Sequence, residues 1–206
     1  PLEGFPTTHA TVFRDFPDVF SRDYERASRV FAQQLEAFAD EPNMIGYFLR
    51  NEPHWAFVDE INLAEHLLAT ARPLATRDAL VEFLSQRYGG DVRRLCHAWQ
   101  WPQDTRGSLP PPPTSWSHFA RPVERVASMS AVARSDLAEF SRTMIERYVR
   151  VPSEACRGVD PHHLNLGLRW AWISQDALYA GSEHCDVFSI NCYKTNPAAD
   201  IEDAGR

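Results

Sequence analysis

A glutamate follows directly after a short apolar run in the first quarter of the chain. The run, residues 44–49, consists mostly of strand-forming types and ends at a polar cluster that contains Glu52. It is too short for an independent helix, and both of its faces are apolar, which is typical of a parallel strand covered on each side. The sequence therefore predicts a buried strand whose carboxyl end presents a carboxylate that can exchange protons. The alternative is an exposed glutamate in a turn, with Asn51 as a helix N-cap and Pro53 in the first helical turn.

Eight histidines and four cysteines are the other residues that could bind a metal or react. In the pairs His162–His163 and His184–Cys185, adjacent side chains of a strand would point to opposite faces, so neither pair can hold one ion. The cysteines form no Cys-x-x-Cys motif, and we expect buried thiols, with a single disulfide as the alternative. The sequence also lacks nucleotide-binding, acyl-transfer and zinc-protease motifs. We therefore expect no metal and no cofactor.

Composition argues against several classes of partner. The 206 residues, 44% of them hydrophobic, are enough for one domain with its own core, and we assign residues 1–206 to it. A net charge of −7 without a basic stripe argues against nucleic acid, because such binders need clustered Lys and Arg. No apolar stretch approaches the roughly 20 residues of a membrane helix, and residues 1–6 lack the layout of a signal peptide. We expect a soluble chain without a membrane partner, and the sequence assigns no compartment.

Predicted helices and strands alternate along the chain. Apolar residues at helical spacing follow a candidate N-cap at Ser21 as far as Ala39, and two later helices have Thr76 and Asp91 as candidate caps. Further helices are predicted over residues 61–68, 131–149 and 176–183, further strands over 163–168 and 186–193, and an irregular segment over 101–122. Each predicted strand ends in polar or aromatic residues. This pattern predicts an α/β fold with its site at the carboxyl ends of parallel strands.

Three stretches resemble the catalytic barrel of clan A glycoside hydrolases, in particular the β-galactosidases of family 42 and agarase-like enzymes. Residues 42–52 (PNMIGYFLRNE) are similar to the fourth barrel strand, where the general acid/base glutamate follows an asparagine. Residues 84–89 (LSQRYG) with 95–99 (LCHAW) resemble the helical stretch after that strand, and 186–193 (DVFSINCY) resembles the sixth strand. The resemblance implies a partial (β/α)8 TIM barrel, in which residues 15–195 form roughly strands 4 to 6 with their helices.

The resemblance also implies roles for individual residues. Glu52 would protonate the departing glycosidic oxygen and then activate water. Asn51 would bind the 2-hydroxyl of the sugar, and Tyr193 would lie beside the nucleophile. The other candidate substrate contacts are His54, as a hydrogen-bond donor near Glu52, and Trp55 and Trp116, as faces for sugar rings. Trp99 is expected in the core, and Arg169, after the second predicted strand, contacts either the substrate or a structural ion-pair partner.

The sequence does not present a nucleophile. A retaining mechanism needs two carboxyl groups about 5 to 5.5 Å apart, and in the family the second lies on the seventh strand. No apolar run precedes Glu202 or Asp203, so neither is assigned this role. Because a complete barrel takes about 250 residues, the resemblance implies the central portion of a retaining hydrolase of β-galactoside type, with its nucleophile outside the chain.

Two functions follow from these features. In the first, the chain is part of a glycosidase that acts on an oligosaccharide or β-glycoside, and the isolated 206-residue chain is inactive. In the second, it is a non-catalytic carbohydrate-binding or scaffold protein with a degenerate partial barrel. The sequence leaves open whether the chain forms oligomers.

Overall fold

A computed structural model describes residues 2–102, 111–193, 195–198 and 202. The α-helices in this part are α1 (Arg22–Ala32), α2 (Leu63–Ala69), α3 (Ala75–Arg87), α4 (Val92–Ala98) and α5 (Ala131–Val159). The strands are β1 (Thr11–Phe13), β2 (Phe16–Pro17), β3 (Gly46–Tyr47), β4 (Arg50–Asn51), β5 (Leu164–Asn165), β6 (Leu168–Trp170) and β7 (Ser189–Ile190). Short 3-10 helices lie at Gln33–Ala37, His54–Ala56, Trp116–Ala120, Val126–Ser128, Asp176–Tyr179 and Ser182–His184. The expected mixed α/β class is confirmed.

Three neighbouring parallel runs of chain carry the candidate site. The first run contains β3 and β4, and it pairs with a second run that contains β5 and β6. The third run contributes β7, which pairs with β6. The second run is interrupted at Gly167, whose φ of 70° lies in the left-handed region that favours glycine. Because the three runs are parallel and adjacent, their carboxyl ends meet at one edge of the sheet.

The described residues form no closed barrel. Apart from the three parallel runs, β1 and β2 form a separate antiparallel pair. The paired segments are also shorter than predicted, since β7 covers only residues 189–190 of the predicted strand 186–193. A partial TIM barrel therefore stays a prediction, although the order of the three parallel runs is compatible with it.

Helix α5 is longer than the sequence predicted and continues past Pro152 to Val159. A proline inside a helix has no N–H to donate to the carbonyl four residues earlier, which here belongs to Tyr148. That carbonyl instead accepts a hydrogen bond of 2.7 Å from the hydroxyl of Tyr24 on α1. Both tyrosines are fully buried. Helix α1 thus supplies the donor that the proline lacks, and the predicted helix end at residue 149 is wrong.

Two of the three predicted N-caps are confirmed. Ser21 and Asp91 accept hydrogen bonds from backbone N–H groups in the first turns of α1 and α4. Thr76 lies inside α3, and the Asp18 carboxylate accepts from the backbone N–H groups of Ala75 at 2.9 Å and Thr76 at 2.7 Å. A side chain distant in sequence therefore caps α3. Helix α1 is also shorter than predicted, because residues 33–37 form a 3-10 helix.

The remaining expectations about the fold have mixed outcomes. Trp99 lies in the core with 0% of its surface exposed, as expected. No disulfide joins the cysteines, but only Cys96 and Cys156 are buried, while Cys192 is exposed. Of the irregular segment 101–122, residues 103–110 lie outside the described part. In the part of the chain that the structure describes, no helix is long and apolar enough to cross a membrane.

Candidate active site

Glu52 lies one residue beyond β4, at the carboxyl edge of the three parallel runs. Its backbone N–H donates to the carbonyl of Arg169 on β6 at 2.8 Å, which keeps it attached to the sheet. Its φ of 44° lies in the left-handed region, which is uncommon for a residue with a side chain. Such conformations persist where neighbouring contacts hold them, and they concentrate at functional sites. No α-helix begins here, so the alternative of Asn51 as an N-cap is wrong.

The turn between β1 and β2 holds the backbone that follows Glu52. The Arg14 guanidinium donates to two carbonyl oxygens of this loop, at 3.0 and 3.3 Å. The Asp15 carboxylate accepts from the backbone N–H of His54 at 3.1 Å and forms an ion pair with Arg50 on β4. The turn therefore connects the strand before Glu52 with the loop after it.

Two donors from the third run bind the Glu52 carboxylate. The Asn191 side-chain amide donates to Glu52 Oε1, and the Tyr193 hydroxyl donates to the same oxygen at 3.0 Å. The Asn191 amide also donates to Asn51 Oδ1 at 3.3 Å. On its other side, its Oδ1 accepts from Nε of Arg169 at 3.1 Å. The three strand ends thus bring together the four side chains that surround the carboxylate.

These donors determine the electrostatic state of Glu52. The hydrogen bonds from Asn191 and then Tyr193, together with the nearby Arg169 guanidinium, lower the pKa of the Glu52 carboxyl from its ordinary value. The hydrogen bond to Glu52 in turn raises the pKa of Tyr193. In this arrangement Glu52 is ionised near neutral pH. A general acid needs a raised pKa, so the described residues by themselves favour the ionised form of Glu52, which can act as a base.

The sequence placed Glu52, Asn51 and Tyr193 together, and the structure brings them together. Asn191 was quoted in the strand motif without a role, and it proves to be the residue that links the others. Its position two residues before Tyr193, on the same side of an extended chain, is the feature that could have indicated it. Arg169, expected to contact either the substrate or an ion-pair partner, donates from Nε to the side-chain oxygen of Asn191.

Glu52 borders a tightly packed cleft with aromatic walls. Trp172 and Phe57 pack edge to face in its wall, with ring centroids 4.8 Å apart. Trp172 is 46% exposed, so part of its indole surface is available to a ligand. An exposed indole offers an apolar face on which the C–H groups of a sugar ring can pack. Trp172 was one of six tryptophans that could have offered such a face, but Trp55 and Trp116 were predicted as the substrate contacts instead.

Trp55 has a different role from the predicted one. Its side chain is 0% exposed, and its ring packs edge to face against Phe16, Tyr148 and Trp170. The chain turns inward after Pro53 into a 3-10 helix, which carries Trp55 into the core. The prediction that Trp55 stacks on a sugar is therefore wrong.

Neither His54 nor Trp116 contacts the Glu52 carboxylate in the described part of the chain. The His54 ring lies edge to face against Phe57, with centroids 6.1 Å apart, and its backbone holds the loop. The Trp116 indole N–H donates to the Gly90 carbonyl at 2.9 Å, beside α3. The predicted donor role of His54 and the predicted subsite at Trp116 therefore gain no support from this geometry.

The described residues also contain no group of three or more His, Cys, Asp or Glu side chains that could hold a metal ion. His163, which was considered in the sequence, bonds through Nδ1 to the Asp160 carboxylate at 2.7 Å and through Nε2 to the Glu41 carbonyl at 3.0 Å. His184 bonds to the Glu146 carboxylate at 3.0 Å. Both histidines therefore take part in structural contacts.

Comparison with solved structures gives matches that span almost the whole chain. An agarase, AgWH50C, matches with 26% identity and a TM-score of 0.75, over 93% of this chain and 27% of that one. An exo-β-agarase matches with 21% identity and a TM-score of 0.74, over 98% of this chain and 27% of that one. A β-galactosidase from the haloarchaeon Halorubrum lacusprofundi matches with 25% identity and a TM-score of 0.54, over 98% and 28%.

Comparison of sequences points the same way. β-Agarase B of Vibrio sp. (strain JT0107) is 23% identical over an alignment of 187 residues that covers 85% of this chain and 18% of that protein. No protein-family model matches the chain. The chain therefore spans less than a third of the length of these relatives.

These matches test the family expected from the sequence. Agarases give TM-scores of 0.75 and 0.74, against 0.54 for the β-galactosidase. A further match, named PfGH50B, has 19% identity and a TM-score of 0.72, which shows a similar fold. The expected resemblance to glycoside hydrolases is confirmed, and within it the chain is similar to agarases.

Proposed function

We propose that this chain carries the acid/base part of a β-glycosidase site, on a partial barrel in which its three parallel runs take the places of strands 4 to 6. The observation that carries this proposal is the meeting of Glu52 with Asn191 and Tyr193 where adjacent parallel strands end. In barrel enzymes catalytic residues come from the carboxyl ends of several strands. The similarity to agarases over most of the chain supports the same assignment.

In the proposed mechanism, Glu52 alternates between two protonation states. As an acid it protonates the leaving glycosidic oxygen, and as a base it then removes a proton from the attacking water. A retaining mechanism adds a second carboxylate about 5 to 5.5 Å away, which attacks the sugar. We assign this nucleophile to residues outside the 206-residue chain.

The second carboxylate would also raise the pKa of Glu52, as a general acid requires. The described donors lower that pKa, whereas a negative charge nearby and the exclusion of water both raise it. Formation of the sugar ester neutralises the nucleophile, so the pKa of Glu52 falls again when Glu52 must act as a base. Asn191 and Tyr193 then favour that ionised form.

The proposed substrate is a β-linked galactose polymer of the agarose type, or an oligosaccharide derived from it. Trp172 provides a stacking face beside Glu52. The Asn51 side chain is exposed, and its Oδ1 is occupied by Asn191. Its amide nitrogen therefore points away from Asn191 and is available as a donor to a sugar hydroxyl.

Matched glutamine variants test the role of Glu52. In the full polypeptide that carries this chain, Glu52→Gln should reduce hydrolysis of agaro-oligosaccharides by at least about a hundredfold, since general acid–base catalysis contributes about 10² to 10⁴. The control is Glu60→Gln, because Glu60 is exposed on the same loop, and it should leave the rate unchanged. Normal turnover by Glu52→Gln would contradict the proposal.

The isolated 206-residue chain tests the assignment of the nucleophile. It should not hydrolyse an aryl β-galactoside, because the proposed second carboxylate is missing. Measurable turnover that depends on Glu52 would show that a residue of this chain supplies the nucleophile. Binding of agaro-oligosaccharides by a full polypeptide that hydrolyses none of them would favour the alternative of a carbohydrate-binding protein.

A further inference from the structure

The Asn191 carboxamide lies between groups of opposite hydrogen-bonding character. Its Nδ2 faces the carboxylate of Glu52 and the Oδ1 of Asn51, and its Oδ1 faces Nε of Arg169. A guanidinium can only donate, and an ionised carboxylate can only accept. The amide orientation shown is therefore the one that satisfies both neighbours.

Arg169 is itself held in place from two directions. Its guanidinium lies over the Phe48 ring, 5.3 Å from the ring centroid, and its backbone carbonyl accepts from the N–H of Glu52. The Nε–H is left to bond the Asn191 oxygen at 3.1 Å. The same residue thus binds Glu52 through the backbone and reaches it again through the Asn191 side chain.

We propose that Arg169 is a positioning residue: it fixes the Asn191 carboxamide with its N–H groups toward Glu52 and thereby favours the ionised form of Glu52. If the amide rotated by half a turn, its oxygen would face the carboxylate and would bond only the protonated form. By blocking that rotation, Arg169 favours departure of the proton from Glu52. This inference rests on the proposed function only for its catalytic consequence, since the contacts exist without a substrate.

Of the charged and titratable groups that the structure describes around Glu52, Arg169 is the one that bonds the Asn191 oxygen. Among the described residues, the charged or titratable side chains that act on the carboxylate are Arg169 and Tyr193. Tyr193 donates directly to it and is 83% exposed. Other charged or titratable groups nearby bond elsewhere: Arg14 donates to the loop backbone, Asp15 bonds to Arg50 and to the His54 N–H, and the His54 ring packs against Phe57.

The catalytic consequence concerns the pH range of activity. Glu52 must be protonated to act as the acid, so the alkaline limb of the pH–rate profile follows its titration. A contact that favours the ionised form moves that limb to lower pH. Loss of the Arg169 guanidinium should therefore move the alkaline limb of the full polypeptide to higher pH. A substitution that merely loosened the fold would lower the rate without moving the limb.

A double-mutant cycle on the 206-residue chain tests the proposal without requiring activity. The measurement is a pH titration of the Glu52 side-chain carboxyl by ¹³C NMR, with the resonance assigned from Glu52→Gln. Arg169→Met keeps an unbranched side chain against Phe48 and removes the guanidinium. It should raise the pKa of Glu52 in the native chain and change it much less in Asn191→Ala, because the amide that transmits the effect is gone.

Two results would overturn the proposal. An equal rise of the Glu52 pKa in both backgrounds would mean that the Arg169 charge acts directly, and an unchanged pKa would mean that it does not act at all. Arg157→Met is the control, because Arg157 pairs with Asp186 before β7 and it should leave the Glu52 titration unchanged. If Arg169→Met fails to fold by circular dichroism, Arg169→Leu, which also lacks a donor, is judged by the same criteria.

These outcomes are distinct from failure of the proposed function. If Glu52→Gln retained full hydrolytic activity, the glycosidase proposal would fail while the titration cycle could still succeed. If the cycle failed while Glu52→Gln was inactive, only the role of Arg169 would be lost.

Discussion

Removal of the Asp136 carboxylate should destabilise the helical layer that supports the strands. Asp136 on α5 is buried, and it accepts three hydrogen bonds: from the Trp99 indole at 2.7 Å, the Tyr88 hydroxyl at 2.5 Å and the Arg87 guanidinium at 2.9 Å. Burial and the Asp136 contact raise the pKa of Tyr88, so its hydroxyl stays a donor. The three donors come from the stretch that resembled the barrel family. Asp136 thereby joins α3 and the end of α4 to α5.

The expected loss follows from what each donor does without its acceptor. The Trp99 side chain is 0% exposed, and an indole N–H left without a partner there costs about 1 to 3 kcal/mol. Tyr88 and Arg87 are partly exposed and can bond to water, so each adds less than about 1 kcal/mol. Asp136→Ala should therefore lower the free energy of unfolding by about 3 kcal/mol, within the range for breaking a buried ion pair.

Glu139 provides a matched control because it binds the same guanidinium. Its carboxylate lies 2.6 Å from Arg87 Nη2, but its side chain is 51% exposed. Glu139→Ala should cost less than about 1 kcal/mol. Urea unfolding measures both variants, and with a slope of about 3 kcal/mol per molar the Asp136→Ala midpoint should fall by about 1 M. Equal losses in the two variants would refute the importance of burial at Asp136.

Two further predictions concern backbone packing and pH. Gly46→Ala should lower the free energy of unfolding by about 1 to 3 kcal/mol, because the new Cβ would overlap the backbone carbonyl of β5. The control is Gly158→Ala in α5, which has open space around the new Cβ and should not destabilise the fold. Urea unfolding of the two variants measures the difference. The Asp160 contact raises the pKa of His163, so this pair stabilises the fold at lower pH and the benefit is lost as pH rises through that pKa. His163→Gln should flatten the fall of the urea midpoint between about pH 6 and 8, whereas His162→Gln should not. An unchanged slope in His163→Gln would contradict this account.

The sequence was informative where a local pattern and a family motif agreed. The apolar run before Glu52 predicted a parallel strand, and parallel strands bring their carboxyl ends to one edge. That rule is enough to bring Tyr193 close to Glu52, as the structure does. The caps at Ser21 and Asp91 were likewise readable, because each contacts its own first turn.

The sequence failed where distant residues decide the outcome. The sequence predicted a helix end at residue 149, yet α5 continues past Pro152, because Tyr24 supplies a donor from another helix. Trp55 follows Glu52 by three residues and looked like a rim residue, but the turn at Pro53 buries it. Its spacing from Tyr193 could have placed Asn191 on the same side of the strand, but its partners could not be assigned, because they lie on two other strands.

Chemical rescue of Glu52→Ala tests the central claim most directly. In the full polypeptide, this variant should cleave an aryl β-galactoside whose leaving group needs no protonation, and it should then stall at the sugar–enzyme ester for want of a base. Azide, a small anion that needs no base, should enter the space left by the carboxylate, restore turnover and release the β-galactosyl azide. Turnover that azide does not change, or release of the α-azide, would contradict the assignment of Glu52 as the acid/base of a retaining site.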